Sequence, residues 1–494
     1  MDSPILSSAQ MREVEEAAFA RGITAESLME EAGAGIARFV RRFFPNPARC
    51  IAFVGKGHNG GDALVAARYL KQAGWSIETR LAFKEEDCAE LTQKQLARLR
   101  ETAESAPALK SKETILLDGL LGLGAQSLLR EPVRSHCKTI NRMRTEENAF
   151  VLAVDIPTGL NGDTGETDPE DCIKADYTIT IGYAKHGLIV DSSLELVGRL
   201  EVVYLRELMA PDAAVNETLA SPPSLQALLP RRKFAAYKNQ FGRIGILAGA
   251  EGTLGAAIMT TQGALHAGGG LVELFVPKDL YGLLASMAPV ESMVRAYRSM
   301  KDLIDEPVDV WAVGPGLGLD RVSDLLRLID QSPHPMVVDA DGLNALSQKV
   351  DLLSRAAAPR LLTPHPGEMA RLFDTGKMSR AGTARNFCDQ YPVTLLLKGS
   401  RTVIAERSKP LSYNSTGNPG MATGGMGDVL TGVCAGLAGR GVNLYDAARI
   451  GAWACGRAAE ISIFNHGQSE ESVLPRDVLA HLGEAFNELR EPVV

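Results

Sequence analysis

The segment Gly417–Gly432 carries the clearest chemical signal in the sequence. It is rich in glycine and runs into a helical pattern, so its free backbone amides could receive a negatively charged oxygen. Asp428 falls in the first turn of that helix, where a carboxylate can take a proton from a substrate hydroxyl while the amides stabilise a phosphoryl group. The alternative, a helix start with one favourably placed acid, leaves the destabilising cost of so many glycines unexplained.

Three strand ends in the first half indicate a second site. An apolar strand runs into the glycine-rich turn Gly55–Asp62, whose spacing matches neither the dinucleotide fingerprint nor a P-loop. Asp118 and Asp155 each follow another apolar strand, with glycine behind them. Together with Asn59 and Thr158, these carboxylates could supply the oxygen ligands of a cation, and a carboxylate at a strand end can also accept a proton.

Further strand ends in the second half could line a cleft, namely Gly249–Gly255, Gly314–Gly318, Asp339–Asn344 and Thr363–Glu368. His365 is framed by two prolines, which favours a position in the cleft over the packing role that a lone histidine usually has. The turn Lys398–Thr402 contains two cationic residues suited to phosphate or ribose contacts, although a solvated turn explains it equally well.

An alternation of short apolar strands and helical patterns must position these motifs. It predicts an α/β fold of two doubly wound domains, in which ligands bind at the carboxyl ends of parallel strands. Helices are predicted at Ser8–Arg21 and Ala25–Phe44, and a further helix at Ala63–Lys71. The segment Pro211–Pro230 has no clear strand and is interpreted as a connection between domains. The predicted strands are Cys50–Val54, Ile115–Leu117, Phe150–Val154 and Tyr177–Ile181, then Arg243–Leu247, Leu271–Val276, Val308–Val313, Met336–Asp339, Leu361–Thr363, Val393–Leu397 and Arg401–Ala405.

Composition limits the class of protein. A chain of 494 residues is too long for one compact domain, and 52 basic against 60 acidic residues give a net charge of −8, unlike a nucleic-acid-binding protein. The seven scattered cysteines form no Cys-x-x-Cys pair, so neither a disulfide framework nor a thiolate zinc site is predicted. No signal peptide or membrane span is recognisable, which predicts a soluble cytoplasmic protein.

The motifs Gly55–Asp62, Asp118–Gly124 and Asp155–Asn161, in this order, resemble the NAD(P)HX epimerase domain over roughly residues 7–208. The resemblance implies a Rossmann-like α/β/α domain that equilibrates the two epimers of hydrated NADH or NADPH. It implies that Asn59, Asp118 and Thr158 hold a potassium ion, and that Asp155 contacts the substrate and performs the acid–base step. It also implies a substrate lining of His58, Asn59, Gly60, Gly61 and Asp62 with Gly122, Leu123, Gly124, Ala125, Gln126, Ser127 and Leu128. The chain departs from the family at His58, usually Asn, and at Ala63, often Gly.

The motifs Asp339–Asn344, Thr363–Glu368 and Asn418–Gly432 resemble the ribokinase-like superfamily, and within it the ADP-dependent NAD(P)HX dehydratase, from about residue 225 onwards. The resemblance implies that ADP phosphorylates the added hydroxyl of the S hydrate, and that loss of phosphate then restores the reduced nicotinamide. Asp428 would be the catalytic base, and Ala256, Gly318, His365 and Asp428 would contact the hydrate. The implied nucleotide-binding residues are Lys398, Gly399, Ser400, Arg401, Thr402, Gly425, Met426 and Gly427. Sugar kinases commonly have alanine at the position of Met426.

The two resemblances together predict a bifunctional enzyme that repairs nicotinamide nucleotides, with the epimerase at 1–215 and the dehydratase at 216–494. Potassium would serve the epimerase, and ADP with Mg²⁺ the dehydratase. Its partners would be the hydrates NADHX and NADPHX and the nucleotide, without nucleic acid or membrane, and the chain is expected to form a homo-oligomer. Two alternatives stay open: a kinase of a thiazole or pyrimidine alcohol, and a nucleotide-sensing binding module with a degenerate first domain.

Overall fold

The computed structural model describes residues 3–103, 111–123, 128–168, 170–210 and 215–491. The chain folds into two compact units, one of residues 4–215 and one of residues from Asn216 onwards together with Ser3. Each unit has a largely parallel sheet with helices, which confirms the α/β fold class. The implied substrate residues Gly124, Ala125, Gln126 and Ser127 lie outside the described residues.

The first unit begins with helices that are capped as the sequence indicates. The Ser7 hydroxyl accepts a hydrogen bond from the Gln10 amide, and the Gln10 side-chain oxygen accepts one from the Ser7 amide, so a capping box starts the first helix. The strands are β1 (Ile5–Leu6), β2 (Arg49–Val54), β3 (Ser76–Leu81), β4 (Thr114–Gly119), β5 (Phe150–Val154), β6 (Tyr177–Ile181), β7 (Ala184–Lys185) and β8 (Arg199–Val203). The helices are α1 (Ser8–Ala20), α2 (Ala25–Phe43), α3 (His58–Gln72), α4 (Glu90–Glu101), α5 (Val133–Glu146) and α6 (Leu194–Val197).

Six strands of this unit form a parallel sheet in the order β3-β2-β4-β5-β6-β8, and β1 pairs separately with β7. One face of the sheet packs its apolar side chains against α5, with Ile51, Leu116 and Ile140 fully buried. After β2 the chain forms β3 on one side of it, and it then crosses back to form β4 on the other side of β2. The order of strands therefore reverses between β2 and β4, where the carboxyl ends open a crevice for a ligand.

The second unit contains a longer sheet. Its strands are β9 (Glu217–Ala220), β10 (Arg243–Leu247), β11 (Leu271–Pro277), β12 (Met293–Tyr297), β13 (Val310–Val313), β14 (Met336–Val338), β15 (Arg360–Leu362), β16 (Thr394–Leu397), β17 (Val403–Glu406) and β18 (Leu411–Asn414). Its helices are α7 (Pro222–Leu225), α8 (Leu254–His266), α9 (Tyr281–Met287), α10 (Val322–Gln331), α11 (Asp341–Leu346), α12 (Pro366–Leu372), α13 (Arg380–Gln390), α14 (Met426–Gly439), α15 (Leu444–Phe464) and α16 (Pro475–Arg490).

These strands run in the order β12-β11-β10-β13-β14-β15-β16-β17-β18-β9. All neighbouring pairs are parallel except β16–β17 and β17–β18, which are antiparallel. The helices α8, α14 and α15 cover the sheet with small and apolar residues, among them Ala264, Cys434 and Ala448. The strand order reverses between β10 and β13, so the carboxyl ends of these two strands mark the second crevice.

Two predictions about local structure are wrong. The helix expected at Ala63 begins at His58, so the turn of the glycine-rich motif is confined to Gly55–Gly57 and the rest of the motif is helical. The segment expected to be a structureless connection contains β9 and α7, and β9 pairs with β18 at the edge of the second sheet. A strand of four residues is too short for its sequence pattern to stand out from a loop.

Among the described residues, no helix is long and apolar enough to cross a membrane.

Candidate active sites

The first crevice is closed on one side by the turn that follows β2. A Cβ atom on Gly55 would collide with the carbonyl oxygen of Leu120, so only glycine lets these two backbones approach. The same crowding applies at Gly122, where a Cβ atom would lie 3.3 Å from the side-chain oxygen of Asn59. The turn after β2 and the end of β4 are therefore in contact, as expected for motifs at the carboxyl edge of one sheet.

Asp118 and Thr158 form a buried pair at this edge. Asp118 lies within β4 rather than just after it, and its carboxylate accepts hydrogen bonds from the Thr158 amide (2.8 Å), the Thr158 hydroxyl (2.7 Å) and the Leu120 amide (3.2 Å). Burial raises the pKa of Asp118 to about 6, although these hydrogen bonds oppose the rise. In the described part of the chain, no lysine or arginine pairs with this carboxylate, and the amide nitrogen of Asn59 is buried without a partner.

Asp155 is fixed by a buried lysine. Its backbone adopts a left-handed conformation with φ of +67°, which aspartate tolerates better than most residues. The Lys185 ammonium lies 2.5 Å from Asp155 Oδ1 and also donates to the Thr180 hydroxyl and the Ile181 carbonyl, both at 2.9 Å. Thr180 and the Ile181 amide donate to the same carboxylate oxygen, each at 3.1 Å. The carboxyl group therefore has a defined orientation.

Two further carboxyl groups are close enough to Asp155 for its charge to change their pKa. Burial raises the pKa of Asp62 well above its usual range, and the charges of Asp155 and Glu15 raise it further, whereas Lys185 lowers it. Burial, followed by the charge of Asp155, also raises the pKa of Glu15 on α1. Asp62 therefore remains protonated at a higher pH than an exposed aspartate does, so it could donate a proton near Asp155. The imidazole of His58 is exposed at the start of α3.

The second crevice is built around the start of α14. Gly425 is the N-cap residue with a left-handed φ of +92°, and a Cβ atom there would press on the Met259 sulfur and on Pro475. As at any helix N-terminus, the backbone amides of the first turn have no partner within the helix and could bind an anion. Asp428 follows within this turn, as the sequence predicts.

A buried ion pair lies beside this helix start. Asp339, at the end of β14, accepts a hydrogen bond from the Lys398 ammonium (2.8 Å) and another from the Thr431 hydroxyl (2.8 Å). Burial opposes ionisation of Asp339, but the Lys398 charge and these hydrogen bonds outweigh it, so its pKa lies below the usual value. Burial likewise lowers the pKa of Lys398, but the charges of Asp339 and Glu368 more than compensate and raise it.

Asp428 is poised to exchange a proton near neutral pH. Burial, followed by the charge of Asp339, raises its pKa and the charge of Lys398 opposes both, so that the pKa lies at about 6. A general base is most effective when its pKa is close to the working pH, because it is then ionised and still basic. The local charges of the crevice therefore suit Asp428 to proton transfer.

His365 caps α12 with its side chain. Its Nδ1 accepts hydrogen bonds from the amides of Gly367 (3.0 Å) and Glu368 (3.3 Å), while the Glu368 carboxylate accepts one from the His365 amide (2.8 Å). Because Nδ1 is an acceptor, the neutral imidazole carries its proton on Nε2, which lies 3.6 Å from Glu368 Oε1. The side chain is half-exposed.

The loop that precedes Ala256, which lies in the first turn of α8, meets the loop that carries Gly318. The amide of Gly249 donates to the carbonyl of Pro315 (2.8 Å), and the Thr253 hydroxyl donates to the carbonyl of Gly316 (2.7 Å). The amide of Gly318 donates to Asp341 Oδ2 (2.9 Å). The ends of β10, β13 and β14 are thus connected by hydrogen bonds, as their predicted positions at one edge require.

The hairpin turn Lys398–Thr402 is confirmed between the antiparallel strands β16 and β17. Its residues differ in environment: Gly399 and Ser400 are exposed, whereas Arg401 is buried. The Lys398 ammonium points to Asp339, which excludes the solvated-turn alternative for this residue.

Several residues of these sites are given no role by the sequence patterns. Lys185 is a single lysine in a largely apolar stretch shortly after β6. A lysine in such a position, close to the end of a strand, is the sequence feature that could have identified it as a site residue. Asp339 and Thr431 lie in motifs that the sequence singles out, but their mutual contact depends on the tertiary fold. Glu460 is buried, accepts a hydrogen bond from the Gly417 amide (2.9 Å) and pairs with Arg457, so it holds the start of the glycine-rich segment.

Comparison with protein families assigns both halves of the chain. Residues 244–482 match the family described as NAD(P)H-hydrate dehydratase, and residues 25–187 match the family described as YjeF-related protein N-terminus. The match over the second half favours the dehydratase over the alternative of a kinase of a thiazole or pyrimidine alcohol.

Curated relatives are similar over nearly their whole length. The bifunctional NAD(P)H-hydrate repair enzyme Nnr of Moorella thermoacetica is 35% identical over 94% of this chain and 93% of its own. The Escherichia coli enzyme of the same name is 33% identical over 96% of this chain and 92% of its own. Among solved structures, the ADP/ATP-dependent NAD(P)H-hydrate dehydratase of Bacillus subtilis, co-crystallised with ATP and Mg²⁺, is 26% identical, with a TM-score of 0.49 over 56% of this chain and 100% of its own. On the sequence relationship, the chain belongs to the family of bifunctional NAD(P)H-hydrate repair enzymes.

Proposed function

We propose that the first unit interconverts the R and S hydrates of NADH and NADPH, and that the second removes water from the S hydrate at the expense of ADP. We assign residues 1–215 to the epimerase and residues 216–494 to the dehydratase. The observation that supports the proposal is that each unit has one aspartate next to the carboxyl edge of its sheet, Asp155 directly after β5 and Asp428 in the first turn of α14 beside Asp339 and Lys398. Relatives that span both units support the pairing of the two reactions in one chain.

In the first unit, Asp155 is the acid–base residue, and Lys185 is the residue that positions it. The 2.5 Å ion pair and the contacts of Thr180 hold one carboxylate oxygen, which leaves the other oxygen, Oδ2, for the substrate. Asp62, whose pKa is raised chiefly by burial, is suited to donate a proton on the same side. The hydrate would be lined by His58–Asp62 and by Gly122–Leu128.

Potassium fits the residues of the first crevice. Asp118 is a fully buried carboxylate without a cationic partner among the described residues, so a bound cation would remove the cost that raises its pKa. Together with the oxygens of Asn59 and Thr158, it offers the hard ligands that such an ion prefers. The ion would supply positive charge next to an oxygen of the substrate, and Asn59, Asp118 and Thr158 would hold it there.

In the second unit, Asp428 takes the proton of the hydroxyl group that hydration added to the nicotinamide ring. The hydroxyl oxygen then attacks the terminal phosphoryl group of ADP, and AMP leaves. The amides of Gly425, Met426 and Gly427 stabilise the charge on the phosphoryl oxygens during this transfer. The carbon–oxygen bond then breaks with phosphate as leaving group, and loss of a proton from the neighbouring ring carbon restores the double bond.

The charges around Asp428 support this assignment. Lys398 compensates Asp339 and keeps a positive group close to the entering phosphates. The turn Lys398–Thr402 would contact the nucleotide, with Mg²⁺ bound to its phosphates. Ala256, Gly318 and His365 would contact the hydrate, and the half-exposed His365 could donate a hydrogen bond from Nε2 to one of its polar groups.

The setting of the enzyme is also part of the proposal. The seven cysteines are all buried and unpaired, which is typical of proteins in a reducing compartment such as the cytoplasm.

We further propose that the chain forms a homo-oligomer. Size-exclusion chromatography with light scattering measures the oligomeric mass directly, and a monomeric mass would contradict this part.

The test of the two activities uses the purified full chain and a mixture of R and S hydrates of NADH, with ADP and Mg²⁺. We expect complete recovery of the absorbance of NADH, with formation of AMP and phosphate. Recovery that stops at the S fraction would refute the epimerase assignment. A stable phosphorylated product, or no recovery with either ADP or ATP, would refute the dehydratase assignment.

A further inference from the structure

A cluster of two histidines and one glutamate lies in the second unit, apart from the residues of the two crevices. His466 follows the end of α15, and His481 and Glu484 are three residues apart on α16. The two imidazole rings are stacked, with centroids 4.0 Å apart and an interplanar angle of 23°. None of these residues has a role in the reactions proposed above.

The nitrogens of both histidines face the same point. His481 Nδ1 lies 2.7 Å and His466 Nε2 lies 3.2 Å from one oxygen, Oε1 of Glu484. One potential ligand atom from each residue lies within 4.8 Å of the other two. In a tetrahedral zinc site with bonds of about 2.0–2.1 Å, ligand atoms lie roughly 3.3–3.5 Å apart. A small outward rotation of Glu484 therefore leaves room for a cation at the point that both nitrogens face.

The backbone holds this arrangement without help from a ligand. Helices α15 and α16 pack through buried residues that include Leu482 and Ala485. The Ser462 hydroxyl at the end of α15 donates to the carbonyl of Asp477 (3.3 Å), and the Gln468 amide donates to the carbonyl of Ser462 (3.1 Å). The histidines are thus presented by fixed elements, so binding a cation would cost little ordering of the chain.

We propose that His466, His481 and Glu484 form a binding site for a divalent transition-metal ion, for which Zn²⁺ is the best match. Two imidazoles and one carboxylate are a donor set that zinc accepts, with water as a fourth ligand.

The site would fasten the segment between α15 and α16. Glu470 and Val473 of this segment pack against Gly420, and Pro475 packs against Gly425, both in the glycine-rich motif. A metal ion that joins His466 to α16 would close the segment and resist its local opening. Bound zinc should therefore raise the thermal stability of the second unit, whether or not any substrate is present.

The test compares the full chain with His466→Gln and Glu484→Gln after removal of metals with a chelator. Isothermal titration with ZnCl₂ should show one more bound zinc ion in the parent chain than in either variant, or zinc affinity roughly tenfold or more weaker in the variants. His266→Gln is the matched control, because His266 is an exposed histidine in the last turn of α8, away from the cluster. It should bind zinc like the parent.

Thermal unfolding provides a second measurement. Zinc should raise the unfolding temperature of the parent and of His266→Gln, but not that of His466→Gln, whose position after the helix end tolerates the change. Equal zinc binding in all four proteins would overturn the proposal. An equal loss of binding in His266→Gln would also overturn it, because zinc would then bind exposed histidines without selection.

Discussion

The rate of dehydration is expected to fall about tenfold between pH 7 and pH 5, because Asp428 must be ionised to take the hydroxyl proton. Burial and the charge of Asp339 place the pKa of Asp428 at about 6. With this value, roughly nine-tenths of the carboxyl groups are ionised at pH 7 and about one-tenth at pH 5. A freely exposed aspartate would still be more than about nine-tenths ionised at pH 5, so its rate would barely change.

The assay follows NADH absorbance from the S hydrate with saturating ADP and Mg²⁺, at intervals of half a pH unit from 4.5 to 8. The Asp428→Asn variant is the control. Its rate of dehydration should be about 10²–10⁴-fold lower than that of the parent chain and should not fall near pH 6. Circular dichroism at each pH excludes unfolding as the cause. The explanation would be refuted if the rate of the parent chain fell only near pH 4. It would also be refuted if the rate of Asp428→Asn still fell near pH 6.

Three further predictions concern the first unit. Asp155→Asn, which suits the left-handed backbone, should abolish epimerisation and spare dehydration; loss of both activities, measured with separate hydrates, would contradict independent sites. Replacement of potassium by tetramethylammonium should slow only epimerisation, since that ion is too large for the space around Asp118, and an unchanged rate would remove the metal assignment. Lys185→Met should destabilise this unit by roughly 3–5 kcal/mol in urea unfolding, because it leaves Asp155 without its buried partner. Lys174→Met, at an exposed position, should change stability by less than about 0.5 kcal/mol, and equal effects of the two substitutions would refute that explanation.

The features that can be predicted from the sequence are those whose cause is local. The position of Asp428 follows correctly because a glycine-rich segment before an apolar helical pattern fixes a helix start within a few residues. The strands β5, β6 and β10 agree residue by residue with the prediction, because each is a short segment rich in β-branched or other apolar residues with clear ends.

Features that depend on distant residues cannot be predicted in this way. Lys185 gains its role from Asp155, 30 residues earlier in the chain, and no periodicity connects the two. Lys398 is expected from the sequence to contact phosphate, but its partner Asp339 lies 59 residues away and becomes its neighbour only when β14 and β16 join one sheet. The helix at His58 begins earlier than expected because Gly60 and Gly61, which have poor helix propensity, are required by close packing against Gly55 and Met29 and not by a turn.

The edge strand β9 has a consequence for how the chain is synthesised. It is the first strand of the second unit to leave the ribosome, but its neighbour β18 comes late, and the contact between Thr218 and Leu411 spans 193 residues. At about 5–20 residues per second, β9 waits roughly 10–40 seconds for its partner. During that time Leu219 and Ala220, both buried in the finished protein, are open to chaperones and to other nascent chains. The interval before β18 is synthesised is therefore the period when this strand is most exposed to aggregation.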